Sequence, residues 1–154
     1  MKDTQNNITM KKTSKIERLR EYQNATFKFY ETARHGYLLV PKELILDFGL
    51  EYYISPFSFE TMIDKKKWVY LEEDSDASTF LQSYNAYYGK QIEMDWIESL
   101  EDDNFITNNK RFGSQMGADV YMFRIANGIN NLQKIKTNLE KLSKKHQVIL
   151  AEQN

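Results

Sequence analysis

Residues 25–40 read ATFKFYETARHGYLLV, and this stretch is the strongest indicator of the fold class. Over residues 25–33, aromatic and β-branched side chains alternate with polar ones at a period of two, which is typical of a half-buried β-strand. His35 and Gly36 interrupt the alternation, and residues 37–40 form a second short apolar run. The stretch therefore predicts a β-hairpin or a bent strand.

The pattern after this hairpin alternates between strand and helix signals. The expected elements are a helix over 41–48 closed by Gly49, strands over 52–59 and 67–71, a helix over 76–88 closed by Gly89, a strand or short helix over 91–97, and a loop over 102–117. This order predicts an α+β fold with a small, mostly antiparallel sheet, two short helices and a long C-terminal amphipathic helix.

The long helix is predicted from residue 118 onward, where aliphatic residues recur at an average spacing near 3.5. We therefore expect a coiled-coil-like helix over 118–154 that protrudes from a core domain over 13–117, preceded by a disordered tail over 1–12. A protruding seam would drive self-association into a homodimer or another homo-oligomer. The residues expected to self-associate are Ile129, Leu132, Ile135, Leu139, Leu142 and Ile149.

The composition limits the cellular setting and the chemistry. The chain has no cysteine, which excludes a disulfide framework, a thiolate zinc site and a cysteine nucleophile, and is compatible with a reducing compartment. It has no run of eighteen apolar residues, and its first fifteen residues lack the apolar core of a signal peptide. We expect a cytoplasmic protein that does not associate with membranes.

Charge is strongly segregated although the net charge is only −1. Residues 72–103 contain ten acidic residues and a single lysine, whereas both ends of the chain are basic. An acidic surface that also carries an aromatic side chain favours a protein partner with a basic surface. The predicted partner-binding residues are Glu93, Asp95, Trp96, Glu98, Glu101, Asp102 and Asp103.

Signals for catalysis are weak. Glycine-rich phosphate loops, Gly-x-Ser-x-Gly and His-Glu-x-x-His are all missing, and the chain has only two histidines, His35 and His146. We therefore predict no catalytic residue, no metal and no cofactor. The acidic run 72–76 is expected to cap a helix, although it could also hold a divalent cation. The candidate functional residues are His35, Tyr37, Glu72, Glu73, Asp74 and Asp76.

Three sequence blocks in order carry a resemblance to a known family. They are HGYLLVP at 35–41, SPFSF at 55–59 and VYLEEDSDA at 69–77 followed by Phe80 and Leu81. Over about residues 34–81 the chain resembles a small domain found in uncharacterised proteins of phages, plasmids and conjugative elements. The resemblance implies an accessory protein of a mobile element, often encoded near genes that counter host defence.

The leading hypothesis is a non-catalytic accessory protein that binds another protein through its acidic surface and counters a host defence system. One alternative is a small metal-dependent enzyme acting on nucleic acid, with His35 and the carboxylates of residues 72–76 in one pocket. The other is a nucleic-acid-binding regulator that uses the basic termini. The near-zero net charge does not favour nucleic acid as the partner.

Overall fold

The computed structural model describes residues 15–99, 102–113 and 118–153, with the side chains of the last helix described from residue 131 onward. The predicted disordered tail over 1–12, Glu101 and the side chain of Ile129 lie outside these residues. In the described part of the chain, none of the helices combines the length and the apolar character needed to cross a bilayer.

The alternating stretch forms the expected hairpin. Strand β1 (Thr26–Glu31) pairs antiparallel with β2 (Gly36–Pro41), and Tyr30 lies opposite Tyr37. The Thr32 hydroxyl stabilises the connecting turn because it accepts hydrogen bonds from the amides of Arg34 and His35. These hydrogen bonds fix the turn that carries Arg34 and His35.

The hairpin lies within a six-stranded sheet. The other strands are β3 (Phe59–Ile63), β4 (Lys66–Glu72), β5 (Glu93–Glu98) and β6 (Lys110–Arg111), and the strand order is β5-β1-β2-β4-β3-β6. Strand β5 runs parallel to β1, and the other neighbouring strands are antiparallel. The mostly antiparallel sheet and the α+β class are confirmed.

The described residues contain five helices, more than the sequence predicted. They are α1 over residues 15–21, α2 (Lys42–Asp47), α3 (Asp76–Tyr88), α4 (Asn104–Thr107) and α5 (Ala118–Glu152). Helix α3 has the predicted bounds, and it ends because Gly89 adopts a φ of 69° that residues with side chains rarely tolerate.

The predicted strand over 52–59 is wrong. Residues 51–57 form turns, and β3 begins only at Phe59. The backbone amide of Ser55 donates a hydrogen bond to the Asp76 carboxylate, at 3.0 Å, instead of joining a ladder. The predicted loop over 102–117 also contains α4 and β6, which are too short to give a periodic signal.

Two hydrophobic clusters lie on opposite faces of the sheet. The larger one packs the sheet against α3, with the Phe27 ring in edge contact with Phe80 and Tyr84. The smaller cluster includes Tyr37, Phe59, Tyr70 and Ile106, so that α4 covers this second face. The alternating side chains of β2 divide between the two clusters.

The expectation that the long helix protrudes is corrected by its packing on α3. Ile135 and Leu139 are buried in the larger cluster, and Leu142 packs against it. The α3 helix offers apolar surface on the side away from the sheet, and the nearest seam of α5 covers it. Leu132 and Ile149 remain half-buried, and self-association stays a prediction.

Candidate functional site

A cavity of about 660 Å³ opens where the β1–β2 turn, the end of β4 and α4 meet. All three sequence blocks of the resemblance contribute to its lining. His35 and Tyr37 come from the first block, Phe57 and Phe59 from the second, and Glu72, Asp74 and Ser75 from the third. The chain thus brings together residues up to 40 positions apart along these blocks.

The hairpin supplies an exposed histidine and a buried tyrosine to the cavity. The ring of His35 lies edge-on to Tyr37, with centroids 6.3 Å apart. Tyr37 is only 3% exposed. Its burial raises the pKa of the Tyr37 hydroxyl, and the negative charges of Asp103 and Glu72 add to this effect, whereas Arg111 opposes it.

Glu72 and Asp74 form the acidic wall of the cavity. The Glu72 carboxylate accepts hydrogen bonds from the amides of Asp74, at 2.6 Å, and Ser75, at 3.3 Å. Burial raises the pKa of Glu72, and the nearby Asp74 carboxyl adds to the increase while these amides oppose it. Glu73 is exposed, and its amide donates to the Gly36 carbonyl on the hairpin.

Asp76 has a structural role in the described chain. Its buried carboxylate accepts hydrogen bonds from the Ser55 amide at 3.0 Å, the Ser55 hydroxyl at 2.6 Å and the Ser58 hydroxyl at 2.6 Å. These bonds attach the segment before β3 to the first turn of α3. Asp76 does not line the cavity, which separates it from the other candidate functional residues.

Helix α4 and strand β6 form the far wall. Asp103 immediately precedes α4 and is only 4% exposed. Arg111 donates a hydrogen bond to the Pro56 carbonyl, at 2.9 Å, and its guanidinium lies 5.2 Å from the centre of the Phe59 ring. The cavity therefore combines carboxylates, arginines and aromatic rings.

The hypothesis of a metal-dependent enzyme required His35 and the carboxylates of residues 72–76 to share one pocket. His35, Glu72 and Asp74 do line the same cavity. Such an enzyme also needs a set of metal ligands, and the described ranges contain no group of three histidine or acidic side chains placed to hold a metal ion. The cavity offers charged and aromatic groups for binding.

The predicted acidic surface divides between two places. Glu93, Asp95, Trp96 and Glu98 lie on the edge strand β5, where all four are exposed. Because side chains alternate along a strand, Trp96 and Glu98 project to one face and Glu93 and Asp95 to the other. Asp102 is also exposed, but Asp103 is buried beside the cavity.

Trp96 is the apolar centre of the edge strand. Its side chain is 58% exposed, and its ring packs against Phe29 on β1 with centroids 4.4 Å apart and the ring planes tilted by 46°. The register of the parallel pair places Glu98 opposite Glu31, so two like charges are neighbours at the end of β5. Asp95 lies opposite Lys28, an attractive arrangement.

Sequence reasoning missed several residues of the cavity. Arg34 directly precedes the candidate residue His35, and Phe57 and Phe59 belong to the second sequence block. The sequence marked these segments, but it gave no sign that these three side chains line a cavity. Arg111 lies in a two-residue strand with no periodic signal. Its contribution depends on the pairing of β6 with β3, which places Arg111 opposite Phe59.

No family model, curated protein or solved structure matches the chain. The resemblance to a mobile-element domain therefore stays a prediction. The two candidate sites, the cavity and the acidic edge strand, are supported by their own geometry.

Proposed function

We propose that the protein acts without catalysis, by binding a protein partner through the edge strand β5. The observation that carries the proposal is the exposure of Trp96 on a strand whose outer edge is not paired with any other described strand. Such an edge offers unpaired backbone donors and acceptors to an incoming extended segment. A large aromatic side chain beside them can supply much of the binding free energy.

The charges on β5 favour a basic partner. Glu93, Asp95 and Glu98 are all exposed, and Glu98 lies beside the like charge of Glu31. Like charges opposite each other destabilise a sheet, and a lysine or arginine from a partner strand would offset this repulsion. The same charges would also accelerate the encounter with a positively charged surface.

The biological setting is part of the same proposal. An accessory protein of a phage or plasmid that counters a host defence system would bind a host protein in the cytoplasm. The support for this setting is the family resemblance over about residues 34–81. Self-association through the half-buried Leu132 and Ile149 would leave β5 available, because those residues lie on α5 and not on the edge strand.

The test begins with affinity capture of the partner, followed by binding kinetics with purified variants. We expect Trp96→Ala to weaken binding at least tenfold, because interface tryptophans often contribute 2 kcal/mol or more. Tyr52→Ala is the matched control, since Tyr52 is 51% exposed and lies outside the sheet. It should leave the affinity within about twofold of wild type.

The charge contribution is measured with Glu93→Gln and Glu98→Gln combined. This variant should associate more slowly at low ionic strength, and the difference should shrink as salt shortens the Debye length from roughly 30 Å at 0.01 M to about 8 Å at 0.15 M. Binding by both the tryptophan and the glutamate variants at the wild-type rate and affinity would exclude β5 as the interface.

A further inference from the structure

Two buried polar groups line the cavity without a hydrogen-bond partner in the described chain. The Asp103 carboxylate is in a residue 4% exposed, yet it makes no capping bond to α4 and no other hydrogen bond with a described residue. The hydroxyl of Tyr37, in a residue 3% exposed, likewise has none within residues 15–99, 102–113 and 118–153. Buried polar groups are nearly always satisfied, so these two point to a ligand that supplies hydrogen bonds.

The ligand must carry an anionic group as well as hydrogen-bond donors. Arg34 and Arg111 line the cavity, and neither forms an ion pair with a carboxylate of the described chain. Arg111 is held in place by its bond to the Pro56 carbonyl, which leaves other N–H groups of its guanidinium for an anion. Paired N–H groups of arginine match phosphate and carboxylate oxygens in geometry.

The aromatic side chains and the volume narrow the ligand to a planar ring system. Phe57 is exposed at the opening of the cavity and Phe59 is buried in its wall, so a ligand in the cavity lies beside aromatic side chains. A volume of about 660 Å³ fits a drug-sized molecule, and a free amino acid would leave most of it empty. Three carboxylates, those of Glu72, Asp74 and Asp103, would repel a ligand that is anionic throughout.

We propose that the cavity binds a nucleotide whose base carries an amino group, with the amino group donating to Asp103 and the phosphate bound by Arg111 and Arg34. An aspartate accepts hydrogen bonds from an exocyclic amino group, as in the recognition of cytosine. Stacking of the base on an aromatic ring is a common part of nucleotide recognition. None of the residues that line the cavity belongs to β5, so the site does not depend on the proposed protein partner.

The first experiment is calorimetric titration of the intact protein with AMP, CMP, GMP, UMP, adenosine and inorganic phosphate. UMP lacks the exocyclic amino group, and we expect at least one of the other monophosphates to bind about fivefold tighter or more. AMP should bind about tenfold tighter than adenosine, because adenosine leaves the arginines unused. Inorganic phosphate alone should not bind measurably. Failure of every monophosphate to bind at millimolar concentration would overturn the proposal.

Two variants then test whether Asp103 contacts the base and Arg111 contacts the phosphate. Asp103→Asn should reduce the preference for amino-bearing bases over UMP to within about twofold, whereas Asp102→Asn, at the exposed neighbour, should leave it unchanged. Arg111→Gln should lower the affinity for AMP towards that of adenosine while adenosine binding stays the same. Wild-type selectivity in Asp103→Asn, or an equal loss for AMP and adenosine in Arg111→Gln, would contradict the assignment.

The nucleotide could be free or part of a single strand, and a further titration separates these sources. A six-residue oligoadenylate that binds at least tenfold tighter than AMP, with a steeper salt dependence, would identify a strand as the ligand. Equal affinities would identify the free nucleotide. In either case, amide chemical-shift changes should centre on residues 34–37 and 103–111. Changes confined to β5 would overturn the site.

Discussion

The Tyr87 hydroxyl oxygen and the His146 Nδ1 atom are 2.7 Å apart and share a hydrogen bond that joins α3 to α5. Both residues are buried. Burial lowers the pKa of His146, and the positive charges of Lys15 and Lys145 add to this effect. Burial also raises the pKa of Tyr87 to about 12. Both side chains are therefore neutral near pH 7, because burial between the two helices disfavours their charged forms.

The first prediction is a loss of stability on mild acidification. In the unfolded state, the His146 imidazole binds a proton below its ordinary pKa of 6.5. In the folded state its pKa is lower, so it binds the proton only at a lower pH. The unfolded state thus binds more protons in this window, and the free energy of unfolding falls as the pH drops from 7.5 to 5.5. Chemical denaturation across this range measures the slope.

Variants at the two histidines show whether His146 causes that slope. His146→Leu should flatten it, whereas His35→Gln should preserve it because His35 is exposed. A slope that survives His146→Leu would contradict the role of the buried pair.

The second prediction concerns α5 as part of the folded core. Leu139→Ala should destabilise the protein by about 2–5 kcal/mol, because it leaves a cavity in the main hydrophobic cluster. Val148→Ala on the exposed side of the same helix should change stability by about 0.5 kcal/mol or less. Urea unfolding measures both changes.

Deleting residues 130–154 gives a stronger test of the same packing. The deletion should abolish cooperative unfolding or lower its midpoint severely, since it exposes the face of α3 that α5 covers. A truncated protein with a wild-type melting profile would restore the interpretation of α5 as a protruding helix.

The third prediction assigns Asp76 to stability. Asp76→Ala removes four hydrogen bonds and leaves the Ser58 hydroxyl buried, so we expect a loss of about 3 kcal/mol or more. Asp74→Asn is the control, because Asp74 is exposed in the same turn and should change stability by about 0.5 kcal/mol or less. Equal effects of the two substitutions on urea unfolding would argue against the bonding role of Asp76.

The fourth prediction concerns the like charges at the end of β5. Glu98→Gln should stabilise the isolated protein by about 0.2–1 kcal/mol at low salt, because Glu31 then loses its repulsive neighbour. The gain should fall at high salt. Asp95→Gln, which removes an attractive neighbour of Lys28, should have the opposite sign. Thermal unfolding at two ionic strengths compares them, and equal signs would contradict the register-based explanation.

The fifth prediction is that folding needs no metal. Thermal melts with a chelator, with magnesium and with manganese should superimpose, because Glu72 already accepts two backbone hydrogen bonds and Asp76 accepts four hydrogen bonds from serines. A cation that bound the folded protein alone would raise the melting temperature in proportion to its occupancy. A rise of several degrees with either cation would favour the metal-dependent enzyme.

Part of the cavity lining could be predicted from the sequence. The sequence indicated His35, Tyr37, Glu72 and Asp74 as candidates, because a break in a strand and the start of a helix both mark exposed segments. All four line the cavity. The sequence grouped Asp103 with its acidic neighbours because they share its charge and lie next to it in the chain. The structure instead places Asp103 in a buried position before α4, and neither charge nor spacing distinguishes it from Asp102.

The sequence by itself determined the local elements: the hairpin over residues 25–40, the helix from Asp76 to Tyr88 and its end at Gly89. These depend on side-chain periodicity and on backbone preferences that act over a few residues. Only the tertiary structure decided that β5 runs parallel to β1, that α5 packs on α3, and that Arg111 faces Phe59. Those arrangements depend on which apolar faces bury one another across long chain separations, and that competition leaves no local pattern in the sequence.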